Sequence, residues 1–188
     1  MSPKILNVRP VYEGWAKVSI ATVADANGLS FERLMEDHGR GVCVLPYDPG
    51  RKIAMLVRQF RAPVCVTTAQ TELLEAVAGL NDGEPPDAAI LREAFEETGL
   101  RLRSLDHVAT VWTMPGISTE RMDLFLARYT EEDRVGRGGG QPLEHEDISV
   151  VEMPLSALAA AADDGRIEDM KTLALVQTLR LRQPELFS

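Results

Sequence analysis

The segment AGLNDGEPPDAAILREAFEETGL, from Ala78 to Leu100, narrows what this chain can become more than any other stretch. Six acidic side chains fall between Asp82 and Glu97. Pro85 and Pro86 mark the entry to a helix, Asp87 can cap it, and Gly99 closes it as a left-handed residue. At about 100° per residue, Ala88, Leu91, Phe95 and Thr98 share one side of that helix, with Ala94 at its edge. Glu93, Glu96 and Glu97 then fall on the opposite side. Like charges at such spacing cost a helix a few tenths of a kcal/mol, and Arg92 can offset part of that by reaching Glu96. Two readings compete. One is a solvated acidic face. The other is a seat for a hard divalent cation, because magnesium takes oxygen ligands and joins one or two carboxylates to substrate phosphates.

The flanks read as strands. WAKVSIATV, GVCVLPYD and KIAMLVRQFR are short, rich in Val and Ile, and separated by turn signals at DANG and DPGRK. DANG predicts an N-terminal hairpin. TELLEAVAG is an extended approach to the acidic helix, and LDHVATVWTM, RMDLFLARY and ISVVEMP are further strands. LSALAAAADDG and MKTLALVQTLRLRQ read as helices, whereas TEEDRVGRGGGQPLEHED, glycine-rich and charged, reads as a long mobile loop. Strands, helix, strands, helices argue for a mixed sheet flanked by helices rather than regular alternation, an α/β (α+β) class. At 188 residues, 45% of them hydrophobic, the chain can bury one substantial core. Two segments are expected: a strand and hairpin element over 1–40, a candidate for dimerisation, and the main domain over 41–188.

Charge and cysteine usage exclude several roles. A formal charge of −9 disfavours nucleic acid and anionic membranes, which call for a basic stripe. Cys43 and Cys65 sit in the apolar, strand-like runs GVCVLPY and APVCVTT without a partner at metal-ligand spacing, so they read as buried free thiols in a reducing, cytoplasmic compartment. The N-terminus has no apolar core of signal-peptide length, and nowhere do about 18 apolar residues run together.

The acidic segment resembles the Nudix box, whose pattern runs glycine, five residues, Glu, seven residues, Arg-Glu, an aliphatic, any residue, Glu-Glu, any residue, glycine, aliphatic. Glu84, Arg92, Glu93, Ala94, Glu96, Glu97, Gly99 and Leu100 match it; Gly79 and Glu84 are separated by four residues rather than five. The resemblance implies an α/β/α sandwich with a mixed sheet and hydrolysis of a nucleoside diphosphate linked to another group. It implies Glu93, Glu97 and the Ala78 carbonyl as ligands of Mg2+, with Mn2+ as a substitute. Glu96 would be a further ligand or a base, Arg92 would orient the helix carboxylates, and Glu84 would be structural.

The likeness extends beyond the box. RQFR, ELLEAVAGL, MPGISTERMDLFLARY, the GGG and EHED runs and GRIEDMKT look like the nucleoside-diphosphate-sugar branch of the family, GDP-mannose members before ADP-ribose members. By that similarity Arg61 would contact phosphate, Glu120 the sugar or nucleotide, and Lys171 the ligand from the last helix. Glu146 would join the metal site and activate water, with Glu144 and Asp147 as competitors and His145 as a weaker one. Trp15 would stack on the base, which is worth about 1–3 kcal/mol where it occurs, with Arg33 as a lesser candidate for the same pocket. His38 and His107 read as structural or surface residues. The implied activity is magnesium-dependent cleavage of a nucleoside diphosphate sugar by a homodimer, GDP-mannose to GMP and mannose 1-phosphate, with ADP-ribose second. A catalytically silent ligand sensor of the same fold is a further alternative, against which all three helix glutamates count.

Overall fold

The computed structural model describes residues 2–141 and 147–188. The chain divides into two compact units, Met1–Gly41 with Thr110–Met122, and Val42–Ala109 with Asp123–Ser188.

In the first unit β1 (Lys4–Glu13), β2 (Lys17–Ala24) and β3 (Ser30–Asp37) form an antiparallel sheet in the order β1-β2-β3. The hairpin expected at DANG joins β2 to β3. Asp25 Oδ1 accepts the Asn27 and Leu29 N–H groups at 2.8 Å each, and Gly28 supplies the positive φ of 84° that the turn demands. The element is a three-stranded sheet and not a lone hairpin, because β1 pairs along β2 as well. β1 is exposed throughout its length, with Ile5, Leu6, Val8, Val11 and Tyr12 all facing solvent in the single chain.

A seven-stranded mixed sheet, most of whose residues belong to the second unit, has the order β10-β5-β4-β9-β8, with β6 on β5 and β7 on β4. Its strands are β4 (Gly41–Asp48), β5 (Ile53–Gln59), β6 (Leu73–Glu75), β7 (Val77–Leu80), β8 (Asp106–Trp112), β9 (Arg121–Arg128) and β10 (Ile148–Pro154). Side chains alternate across a strand. Val42, Val44, Met55 and Val57 therefore line one face, where they form a core with Ala89, Ile90 and Ala94. Cys43, Leu45, Ala54 and Leu56 point to the other face and are equally buried. A sheet buried on both faces needs helices on both, which is the sandwich that the order of elements implied.

Four helices complete the unit: α1 (Ala62–Thr68), α2 (Pro86–Thr98), α3 (Leu155–Asp163) and α4 (Met170–Arg182). APVCVTT, read above as strand-like, is α1. Its β-branched residues suggested a strand, but Pro63 lies in the first helical turn, where a missing N–H costs nothing. Thr67 and Thr68 donate back to the Pro63 and Val64 carbonyls, and Ala69 closes the turn at φ 63°. Cys65 is accordingly only half-buried, whereas Cys43 is buried as expected.

Two expectations for the acidic helix change as well. Its N-cap is Pro85, without a side-chain cap, and Asp87 lies inside the first turn, where its charge complements the helix dipole instead. The buried face is formed by Ala89, Ile90, Ala94, Glu97 and Thr98, while Leu91 and Phe95 remain substantially exposed. Glu97 is therefore buried, on the same face as Thr98, whereas periodicity put the two on opposite sides of the helix. Gly99 ends the helix as expected, at φ 75°, with its N–H donating to the Phe95 carbonyl at 2.9 Å. Among the described residues no helix is long and apolar enough to cross a membrane.

Candidate active site

The last turns of α2 and the strand β7 build the first part of the site. Glu93 lies directly over Gly79: a Cβ at Gly79 would fall 2.2 Å from the Glu93 carboxyl carbon. Any larger residue there would force the Glu93 side chain to move aside. The preceding residue, Ala78, is half-buried in β7.

Arg92 holds the acidic groups together. Its Nη1 donates to Glu93 Oε1 at 2.8 Å and to Glu96 Oε2 at 3.0 Å, its Nε to Glu84 Oε2 at 3.3 Å, and its Nη2 to the Leu80 carbonyl at 3.3 Å. Burial lowers the Arg92 pKa, but the Glu93 charge and the hydrogen bonds to Glu84, Glu96 and Glu93 outweigh it and hold the group above the ordinary arginine range. The guanidinium is thus a fixed cation among carboxylates.

The glycine-rich stretch, expected to be mobile, is docked on the end of α2 as far as it is described. Val135 and Gly136 donate to the Gly99 carbonyl at 3.0 and 3.1 Å, Gly139 to the Glu97 carbonyl at 2.9 Å, and Gly140 to the Glu96 carbonyl at 3.1 Å. A helix leaves its last carbonyls without intrahelical donors, and these N–H groups supply them. Gly138 is required by proximity. A Cβ at Gly138 would meet the Glu97 carbonyl oxygen at 2.3 Å, and its φ is +68°. The next described residue, Gln141, donates from Nε2 to Glu96 Oε1 at 2.8 Å. Glu96 therefore has one oxygen on Arg92 and the other on Gln141. Glu144, His145 and Glu146 lie outside the described residues; Asp147 is described and exposed.

The donor set suits a hard divalent cation. Glu93, Glu96 and Glu97 offer carboxylate oxygens from successive turns of one helix, and Gly79 lets the Glu93 carboxyl come close to β7. Among the described residues, no three Asp, Glu, His or Cys side chains converge as a closed metal cluster, and Arg92 is the cation between Glu93 and Glu96.

A second constellation lies at the ends of β5 and β6. The register pairs Val57 with Glu75, and Arg61 follows two residues after β5 ends. Arg61 donates from Nε to Glu75 Oε1 at 2.7 Å and from Nη2 to Glu75 Oε2 at 3.0 Å. Lys171, in the first turn of α4, donates to Glu75 Oε2 and, at 2.8 Å, to Asp169 Oδ1. Asp169 also caps α4 by accepting the Thr172 N–H at 2.9 Å. Burial raises the Glu75 pKa, yet the Arg61 hydrogen bond and the Lys171 and Arg61 charges hold the carboxyl below its usual range.

The first unit holds Trp15, Glu120 and Arg33. Trp15 is 79% exposed and stacks on His38 with ring centroids 5.5 Å apart. His38 Nε2 lies 3.4 Å from Glu120 Oε1, and Thr113 Oγ1 donates to Glu120 Oε2 at 2.5 Å. Arg33 stands over the Phe31 ring at 4.4 Å. His38, read as structural or surface, thus connects two of the candidate ligand residues.

Glu75, Gln141 and His38 contact candidate residues without having been candidates on sequence. Glu75 had a signal: a lone carboxylate inside the apolar run LLEAVAG must find a cation if that run is buried. Gln141 and His38 had none.

Comparison with known proteins places these features in context. The NUDIX domain family pattern matches residues 37–175. A curated protein named GDP-mannose pyrophosphatase, from Cronobacter sakazakii, is 40% identical over 162 residues, covering 86% of this chain and 84% of its own. One of the same name from Yersinia enterocolitica is 37% identical over 184 residues, covering 94% and 95%. A solved structure described as an ADP compounds hydrolase superposes with a TM-score of 0.78 over 98% of this chain and 96% of that one, at 19% identity, a likeness of fold.

Proposed function

The chain belongs to the Nudix hydrolase family, and from that premise we propose that it hydrolyses the diphosphate of a nucleoside diphosphate sugar, GDP-mannose first, to GMP and mannose 1-phosphate. In this reaction the oxygen of water forms a bond to one phosphorus, the bridging P–O bond breaks, and a proton is released. The observation that carries the reading is the carboxylate turn of α2 held over Gly79 and fastened by Arg92. The names of the curated relatives support the choice of sugar nucleotide.

Hydrolases of this family work with a divalent metal, and in our reading it is Mg2+, with Mn2+ as a substitute, held by Glu93, Glu97 and the Ala78 carbonyl. When bound, such an ion offsets diphosphate charge and polarises the phosphoryl oxygens. Arg92 keeps Glu93 and Glu96 in place and Gln141 fixes the second Glu96 oxygen. Arg61 and Lys171 meet the ligand's anionic groups, Glu120 the sugar or nucleotide, and Trp15 and Arg33 the base. Glu146 enters as the loop acid on sequence alone. The protein works as a homodimer, and its free cysteines suit the reducing cytoplasm.

The test is a panel of nucleotide sugars with ADP-ribose included, incubated with magnesium and the products identified by mass. GMP and mannose 1-phosphate from GDP-mannose at the highest kcat/KM is the expected result. Preference for ADP-ribose would change the substrate, and binding without turnover of any member would make the protein a ligand sensor.

A further inference from the structure

Glu75 is the most confined carboxylate that the proposed chemistry leaves without a task. It is 1% exposed, lies on β6 opposite Val57, and receives two cationic side chains from distant parts of the chain. Arg61 comes from the end of β5 and Lys171 from the start of α4. Asp169 completes the group, so two cations face two carboxylates.

The geometry is asymmetric in a way that a mere fold staple does not require. Arg61 turns one edge of its guanidinium, Nε and Nη2, onto Glu75 in a two-point contact, which fixes the plane of the fork. Its side chain nonetheless remains 40% exposed. Lys171 is more enclosed, with its ammonium shared between Glu75 and Asp169. The backbone is tied to the same point: the Ala76 N–H donates to Thr172 Oγ1 at 2.6 Å, which joins the β6 and β7 stretch to α4 beside the Asp169 cap. A guanidinium whose plane is set by a two-point contact, and whose side chain is still partly exposed, keeps N–H donors for a second planar or tetrahedral oxyanion.

We propose that Glu75 is a positioning residue for anion recognition: it aims Arg61 and Lys171 so that Arg61 offers its remaining N–H donors to a phosphate of the substrate. This rests on the functional reading above, in which those two cations meet the ligand. Glu75 touches no substrate atom itself. Its contribution is to remove the ordering that two long, flexible cations would otherwise undergo when ligand arrives.

The experiment uses the full chain and reads two quantities. Inorganic pyrophosphate binding is measured by calorimetry without divalent metal, and kcat and KM for GDP-mannose are measured with magnesium. Glu75→Gln keeps the shape and removes the charge. Expected are rises of about tenfold in both the pyrophosphate Kd and the KM, with a much smaller change in kcat, the pattern of lost ground-state binding. In an Arg61→Lys background the same substitution should cost less than about threefold, because residues acting through one another are non-additive. A simple loss of stability would not produce that coupling. Glu75→Asp, which keeps the charge but gives up two-point reach, is read in the same way if the Gln variant does not fold.

Unchanged Kd and KM in a folded variant would overturn the proposal, as would full multiplication of the two effects or a wild-type protein that binds no pyrophosphate. A wild-type protein that binds pyrophosphate yet hydrolyses no nucleotide sugar would overturn the functional reading instead. The role of Glu75 would then stand or fall on Kd alone.

Discussion

The Glu93 carboxylate occupies the space that a Cβ at Gly79 would take, between β7 and the acidic helix. Gly79→Ala would place a methyl group 2.2 Å from the Glu93 carboxyl carbon, so the carboxylate must swing away. The expected outcome is a turnover loss on the order of 10²-fold, the scale of a displaced electrostatic stabiliser, in a protein that still melts cooperatively. Wild-type kcat in that variant would show that the closeness has no catalytic consequence.

Glu97→Gln tests the buried member of the carboxylate turn. Glu97 is 1% exposed beside Ile90 and Ala94, and a glutamine fills the same space without the charge. Turnover should fall by on the order of 10²-fold or more, and calorimetric magnesium affinity should weaken with it. Near wild-type hydrolysis at saturating magnesium would remove Glu97 from the metal site.

Gly138→Ala addresses the docked loop. The substitution combines a positive φ of 68° with a contact of 2.3 Å to the Glu97 carbonyl, and strain of this kind costs about 1–3 kcal/mol. The stretch should lift off the end of α2, exposing the Gly139 and Gly140 amides to faster hydrogen exchange. Retained protection at both amides would mean that the loop tolerates the methyl.

Stability should depend on pH through the Arg61, Glu75 and Lys171 group. Glu75 is held below its ordinary value of 4.5, so its contribution is fully present above that value and is lost as pH falls through the lower folded pKa. Burial lowers the Lys171 pKa, but the Glu75 and Asp169 charges outweigh it and raise the group above 10.5. Its contribution is therefore fully present below that value and is lost as pH rises through the folded pKa. Urea midpoints of wild type and Glu75→Gln should differ most near neutral pH and converge as pH falls through the lowered Glu75 pKa. A difference independent of pH would place the effect in packing rather than charge.

Assembly follows from β1. Its exposed Ile5, Leu6, Val8, Val11 and Tyr12 make an apolar strand that a monomer leaves in water. Light scattering at micromolar concentration should give a dimer, and Ile5→Glu together with Val8→Glu should shift it toward monomer. A fully active wild-type monomer would remove dimerisation from the functional reading.

The chain order alone determined the class of fold, the turn at DANG, the helix between Pro85 and Gly99, and the spacing of Glu93, Glu96 and Glu97. All of these depend on residues close in sequence, whose φ preferences and side-chain periods act locally. The inward face of α2 was decided by tertiary packing, which buries Ala89, Ile90, Ala94, Glu97 and Thr98 and leaves Leu91 and Phe95 substantially exposed, against the apolar stripe that periodicity alone selects. APVCVTT was settled by a competition that composition does not resolve, β-branched side chains against Pro63 and two threonine hydroxyls bonding back to the helix. Glu75 was the least legible. Its partners stand 14 residues before it and 96 after it in the chain. Only the register of β5 with β6 and the docking of α4 bring those charges together, because such an ion pair is specified by distance in space and by burial, neither of which spacing along the chain encodes.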